Sequence, residues 1–150
     1  MAYDFQVAVD AAQPHVLAQW WASALGWVVE PTDATFIRRM IAEGHATEAD
    51  TFVFNGALVW TDGAAIRRPG GPGGSGDSSG PGARILFQLV PEAKTVKNRW
   101  HLDVRVGAEK VEAEMARLIA SGATFLHRAN QGPHEWVTMA DPEGNEFCIT

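Results

Sequence analysis

Cysteine is nearly absent from this chain: one residue in 150, Cys148. A single thiol excludes an internal disulfide framework and any paired-cysteine metal knuckle, and it suits a reducing, cytoplasmic setting. No apolar run approaches the ~18–20 residues that a bilayer-spanning helix needs. The opening residues, Met1-Ala2-Tyr3-Asp4-Phe5-Gln6, lack the basic region and apolar stretch of a secretory signal. Positive charge is also scarce. Twelve Lys and Arg stand against eighteen Asp and Glu, for a net charge of −6. Such a chain repels phosphate backbones, which argues against nucleic-acid binding. The two basic clusters, Arg67-Arg68 and Lys94/Lys97/Arg99, read as solvated loop charge. No GK[ST] and no GxSxG occurs, so neither a phosphate-binding loop nor a nucleophile elbow is expected.

What the chain does have is apolar mass. Hydrophobic residues make up 46% of it, with six tryptophans, enough to build a core in a single domain of 150 residues. The segment from Pro69 to Ala83 is almost wholly Gly, Pro and Ser and reads as a flexible loop. On either side of it lie two similar stretches. Each has an alternating strand, an amphipathic helix, a glycine and a further strand. The first runs Phe5–Asp10, Pro14–Leu25, Gly26 and Trp27–Val29. The second runs Trp100–Val106, Ala108–Ser121, Gly122 and Ala123–Phe125. Leu17, Trp20, Trp21 and Leu25 recur at helical spacing, as do Val111, Met115, Leu118 and Ile119. Gln6 to Gly26 spans 20 positions and His101 to Gly122 spans 21, which indicates internal duplication. Thr51–Trp60 predicts a hairpin around Asn55-Gly56, and Arg84–Val90 a strand. Glu135–Met139 and Glu146–Ile149 are strands flanking an Asp141–Asn145 turn, and Thr35–Gly44 is an inserted helix. The resulting fold class is α+β. Two βαβββ modules, about 1–95 and 96–150, form a cupped mixed sheet around one cavity, with the helices outside.

Strand alternation then sorts the chemistry. Val7 and Val9, Ile85 and Phe87, Leu102 and Val104, and Phe147 and Ile149 turn to the helices. Trp100 is expected on the same apolar face as Leu102. Gln6, Gln88, His101, Asp103, Glu146 and Cys148 fall on the opposite faces. Soft or uncharged groups there suit a cavity better than plain solvent. Trp60, Trp100 and Trp136 are candidates for stacking on a ligand, with Asp103 beside them.

The first-strand Gln, "NRWHLDVRV" opening the second module and "DPEGNEF" before the last strand resemble the vicinal oxygen chelate superfamily. Its members include glyoxalase I, extradiol dioxygenases, fosfomycin-resistance enzymes and bleomycin-binding proteins. "FQLVPEAKTVKNRWHLDV" together with "DPEGNEFC" is similar to the glyoxalase-like bacterial branch whose chemistry is often unassigned. The resemblance implies a divalent metal (Zn, Ni, Fe or Mn) held by one residue from each of four strands. Those positions fall on Gln6, Gln88, His101 and Cys148. Glyoxalase I carries Glu at the second and fourth. Amides offer neutral oxygens only, whereas a divalent ion wants anionic or imidazole donors.

Two function classes are therefore expected. One is an enzyme of lyase, isomerase or dioxygenase type, with His101 as ligand or acid/base and Glu146 as general base. The other is a non-catalytic small-molecule binder of the antibiotic-resistance kind. In either case the resemblance implies a small-molecule partner and a homodimer, while the acidic charge and the short apolar runs argue against nucleic acid and membrane as partners.

Overall fold

The computed structural model describes residues 5–69 and 84–150. The chain divides into two compact units, Met1–Pro91 and Glu92–Thr150. The first contains β1 (Val7–Ala11), α1 (Pro14–Leu25), β2 (Val28–Val29), α2 (Ala34–Ala42), a short 3-10 turn, β3 (Thr51–Phe54), β4 (Ala57–Trp60), β5 (Gly63–Arg67) and β6 (Arg84–Leu89). The second contains β7 (Asp103–Val104), a 3-10 turn, α3 (Val111–Ala120), β8 (Thr124–Gln131), β9 (His134–Ala140) and β10 (Glu146–Ile149).

The duplication is visible in strand order. The first unit's sheet runs β1-β6-β5-β2 and the second's runs β7-β10-β9-β8. In each, the first strand pairs in parallel with the last, and the remaining pairings are antiparallel. The fold class is α+β with two βαβββ-like modules, each a mixed sheet carrying its helix on one face.

Three expectations need correction. The Asn55-Gly56 hairpin forms, with both residues at positive φ (49° and 81°). That is the turn Asn-Gly favours. However, β3 and β4 stand as a separate two-stranded sheet. The strand completing the first module is β5, whose Gly-Ala-Ala composition hid it. Gly63 is required there, because a Cβ at that position would lie 2.8 Å from the Phe87 carbonyl oxygen. Second, the Trp100–Val106 strand shrinks to two residues, although main-chain bonds continue at Leu102 and Val106. Third, Trp100 is 90% exposed rather than turned to a helix, because it lies ahead of the paired segment. The loop expected over 69–83 lies outside the described residues except for Pro69.

α1 opens on Pro14, where a missing N–H costs nothing, and ends at Gly26 with φ 66°. Gly122 also has positive φ. The buried face of α1 is His15, Leu17, Ala18, Trp21 and Ala22, rotated from the predicted stripe, and it packs on β5 and β6. Leu17, Ile37, Ile66 and Phe87 are fully buried in the first unit. Val137, Met139, Phe147 and Ile149 are fully buried in the second. Each such side chain contributes about 1.5–3 kcal/mol. In α3, Leu118 is buried while Ile119 is exposed.

Candidate functional site

Register fixes what each sheet presents on its helix-free face. In the first unit, Val7, Ile85 and Ile66 share a row, as do Val9, Phe87 and Ala64. The alternate rows carry Gln6 beside Arg84, then Ala8, Leu86 and Ala65, then Asp10, Gln88 and Gly63. Gln6 and Gln88 therefore share a face but stand two rows apart. Arg84 is bound bidentately by Glu30, Nε to Oε1 at 2.9 Å and Nη2 to Oε2 at 2.8 Å. Its Nη1 donates to the Gln6 side-chain oxygen.

A cavity of about 610 Å³ opens in this unit. Its apolar lining includes Phe54, Val59, Trp60 and Leu86; its polar lining includes His15, Glu30, Asp62, Arg84 and Gln88. His15 was not foreseen. It is only 6% exposed, and its Nε2 lies 2.8 Å from the Trp60 carbonyl oxygen. A carbonyl only accepts, so Nε2 carries the proton and Nδ1 is the acceptor of the neutral ring. The ring packs edge-on against Phe52 (5.3 Å) and tilted against Phe54 (5.2 Å).

In the second unit, β7 lies parallel to β10 with Cys148 opposite Asp103. His101 Nε2 is 3.2 Å from Asp103 Oδ1. The donor atoms of His101, Asp103 and Cys148 all lie within 4.8 Å of one another. Cys148 is buried, and its Sγ lies 3.6 Å from Thr138 Oγ1. Burial pushes the thiol pKa above its ordinary 9.0. The Thr138 hydroxyl opposes that push and the Asp103 carboxylate adds to it.

Glu146 stands one pleat from Cys148, roughly 6–7 Å along the strand. Lys94 Nζ lies 3.2 Å from its Oε2, and the Asn98 N–H donates to the same oxygen at 3.0 Å. Burial raises its pKa, but the Asn98 N–H, its own backbone N–H and Lys94 outweigh that and hold it below the ordinary glutamate value. Trp136 is half-buried on β9. The DPEGN turn is built around Asp141, 3% exposed, which accepts from the Glu143 and Asn145 N–H groups at 2.9 Å each.

The four positions the resemblance assigns to metal fall two to each unit, and the donor chemistry differs between them. Gln6 already accepts from the Arg84 guanidinium, so the one atom it could offer a cation is engaged. Gln88 is an exposed neutral amide. This half does not fit a divalent ion. His101, Asp103 and Cys148 together offer imidazole, carboxylate and thiol, a donor set that fits a borderline-soft ion such as zinc.

A model of the "Glyoxalase-like domain" family matches residues 6–150. The chain belongs to the glyoxalase-like family. No curated protein matches it. Among solved structures, this glyoxalase-like chain resembles a hypothetical protein from S. aureus at TM-score 0.58 and 10% identity, covering 99% of this chain and 96% of that one. It resembles a glyoxalase/bleomycin resistance protein/dioxygenase family enzyme from Burkholderia phytofirmans PsJN at 0.57 and 15%, covering 96% and 94%. The fosfomycin resistance protein FosX from Mesorhizobium loti matches at 0.57 and 6%, covering 99% and 90%. At such identities the likeness concerns the fold.

Proposed function

We propose that this glyoxalase-like protein binds a small organic molecule, and that the first-unit cavity is where it does so. The observation that carries this reading is the cavity itself. Its size falls within the range of small-molecule sites, and an apolar lining with a few polar groups suits one. Binding without turnover is favoured over glyoxalase-type chemistry by the state of the expected base. Glu146 Oε2 takes both Lys94 Nζ and the Asn98 N–H, which stabilises the ionised carboxylate and weakens it as a base. The test is a fragment screen read by amide NMR shifts on wild type and on Ala57→Trp. Ala57 is an exposed cavity-lining residue, so the bulkier indole fills the space without entering the core. Fragments should perturb cavity residues in wild type and lose affinity in the variant. Fragments that bind both equally refute the assignment.

A second reading rests on the second unit. His101, Asp103 and Cys148 would hold a divalent metal, zinc by donor softness, which would supply Lewis-acid chemistry there. Asp103 would thereby be a ligand rather than a substrate contact. The homodimer and the cytoplasmic location remain part of the proposal. Support for the first comes from Trp100 and Val96, 90% and 76% exposed on one loop. Support for the second is the lone cysteine. No helix among the described residues is long and apolar enough to cross a membrane.

A further inference from the structure

The polar groups around the first-unit cavity are unequal in what they leave available. Arg84 spends its Nε, Nη1 and Nη2 on Glu30 and Gln6, and Glu30 spends both oxygens on Arg84. That pair is neutral overall, and its oxygens are occupied. The Asp62 main-chain oxygen takes the Leu89 N–H at 2.8 Å, but its carboxylate has no ion-pair or hydrogen-bond partner among the described residues, so it is the uncompensated charge of the lining. The Nδ1 of His15 likewise has no partner among them, and the residue is more than nine-tenths buried against the aromatic wall. With Nε2 committed to Trp60, Nδ1 is an acceptor waiting for a donor.

The cavity is therefore rich in acceptors and negative in balance, with flat apolar walls from Trp60 and Phe54. We propose that it selects a protonated amine carried on a flat apolar body. Asp62 offsets the ammonium charge, His15 Nδ1 accepts an N–H, and the ring lies against Trp60 and Phe54. This rests on the small-molecule reading above and adds the ligand's chemical class. His15 and Asp62 become recognition residues that the alternation of the strands gives no reason to choose.

The experiment compares three ligands of one shape and different charge: tryptamine, the neutral alcohol tryptophol and the anion indole-3-propionate. Affinities for the whole chain are measured by calorimetry at low salt. Tryptamine should bind at least ~10-fold tighter than indole-3-propionate, a gap that salt narrows. Asp62→Asn, at an exposed position, should bring the amine and the alcohol to within about twofold of each other. His15→Phe, which keeps the aromatic packing, should weaken the amine and leave the anion unchanged. Equal or tighter binding of the anion, or an Asp62→Asn variant that keeps the full preference, overturns the ligand class while leaving the cavity as a binding site. Failure of all three indoles overturns it as well. If the fragment screen on the same protein also yields nothing at cavity residues, the small-molecule reading falls with it.

Discussion

Zinc affinity of the second unit should rise steeply with pH, and the reason is Cys148. Its thiol starts from an ordinary value of 9.0 and is pushed higher, first by burial and then by the Asp103 carboxylate. At pH 7.0 the thiol therefore stays overwhelmingly protonated. A metal binds the thiolate and must displace that proton. The apparent association constant then gains about tenfold per pH unit from pH 7 to 9, or ~1.4 kcal/mol per unit. Zinc is titrated against a chromophoric competitor across this range. Calorimetry in two buffers of different ionisation enthalpy counts the released protons, and one per zinc should come from Cys148. Cys148→Ser should remove both the slope and that proton. His101→Ala and Asp103→Asn should lower affinity at every pH, and His101→Ala should leave the fold intact. A flat affinity from pH 7 to 9 refutes the metal reading, as does a Cys148→Ser protein that binds zinc as tightly as wild type.

Glu146 should make the fold sensitive to acid. Its folded-state pKa is depressed, so its contribution is fully present above the unfolded glutamate value, about 4.3, and is lost as pH falls through the folded value. Glu146→Gln should flatten the urea midpoint between pH 5 and pH 3 relative to wild type, and an unchanged acid limb refutes the link. Phe87→Ala removes a fully buried ring and should cost ~3–5 kcal/mol in denaturant unfolding. Gly63→Ala should destabilise by ~1–3 kcal/mol, because the new methyl meets the Phe87 carbonyl rather than a yielding side chain. Trp100→Ser should shift sedimentation from dimer to monomer with unfolding stability unchanged; a variant that stays dimeric removes Trp100 from any interface.

The architecture was legible because its signals are local. Pro14 and Gly26 punctuate α1, and Asn55-Gly56 forces a tight turn. The spacing of the two copies matches within one residue. What failed to show is equally physical. β5 reads Gly-Ala-Ala-Ile-Arg, with little β-branched content, because Gly63 must admit the Phe87 carbonyl and the small residues sit between a helix and a cavity. Propensity sees such a segment as a linker, while the sheet recruits it by position between β6 and β2. Trp100 misled for the opposite reason. Alternation set it on the apolar face with Leu102, but alternation settles facing only where a strand is paired, and pairing begins at Asp103.

The candidate site divides along the same line. Asp103 and Cys148 could be brought together from sequence because parallel pairing of a module's first and last strands puts both on one face. His101 follows at the next same-parity position. His15, Asp62, Glu30 and Arg84 could not, because nothing in a single strand marks them. His15 lies in an amphipathic helix, where a buried imidazole counts as core. Glu30 and Arg84 are 54 positions apart and meet only when β2 and β6 flank β5. That ion pair nevertheless decides the electrostatics of the first unit. It holds Arg84 where its remaining N–H engages the Gln6 oxygen, which works against a metal there. By consuming Glu30 it leaves Asp62 as the charge that a ligand meets.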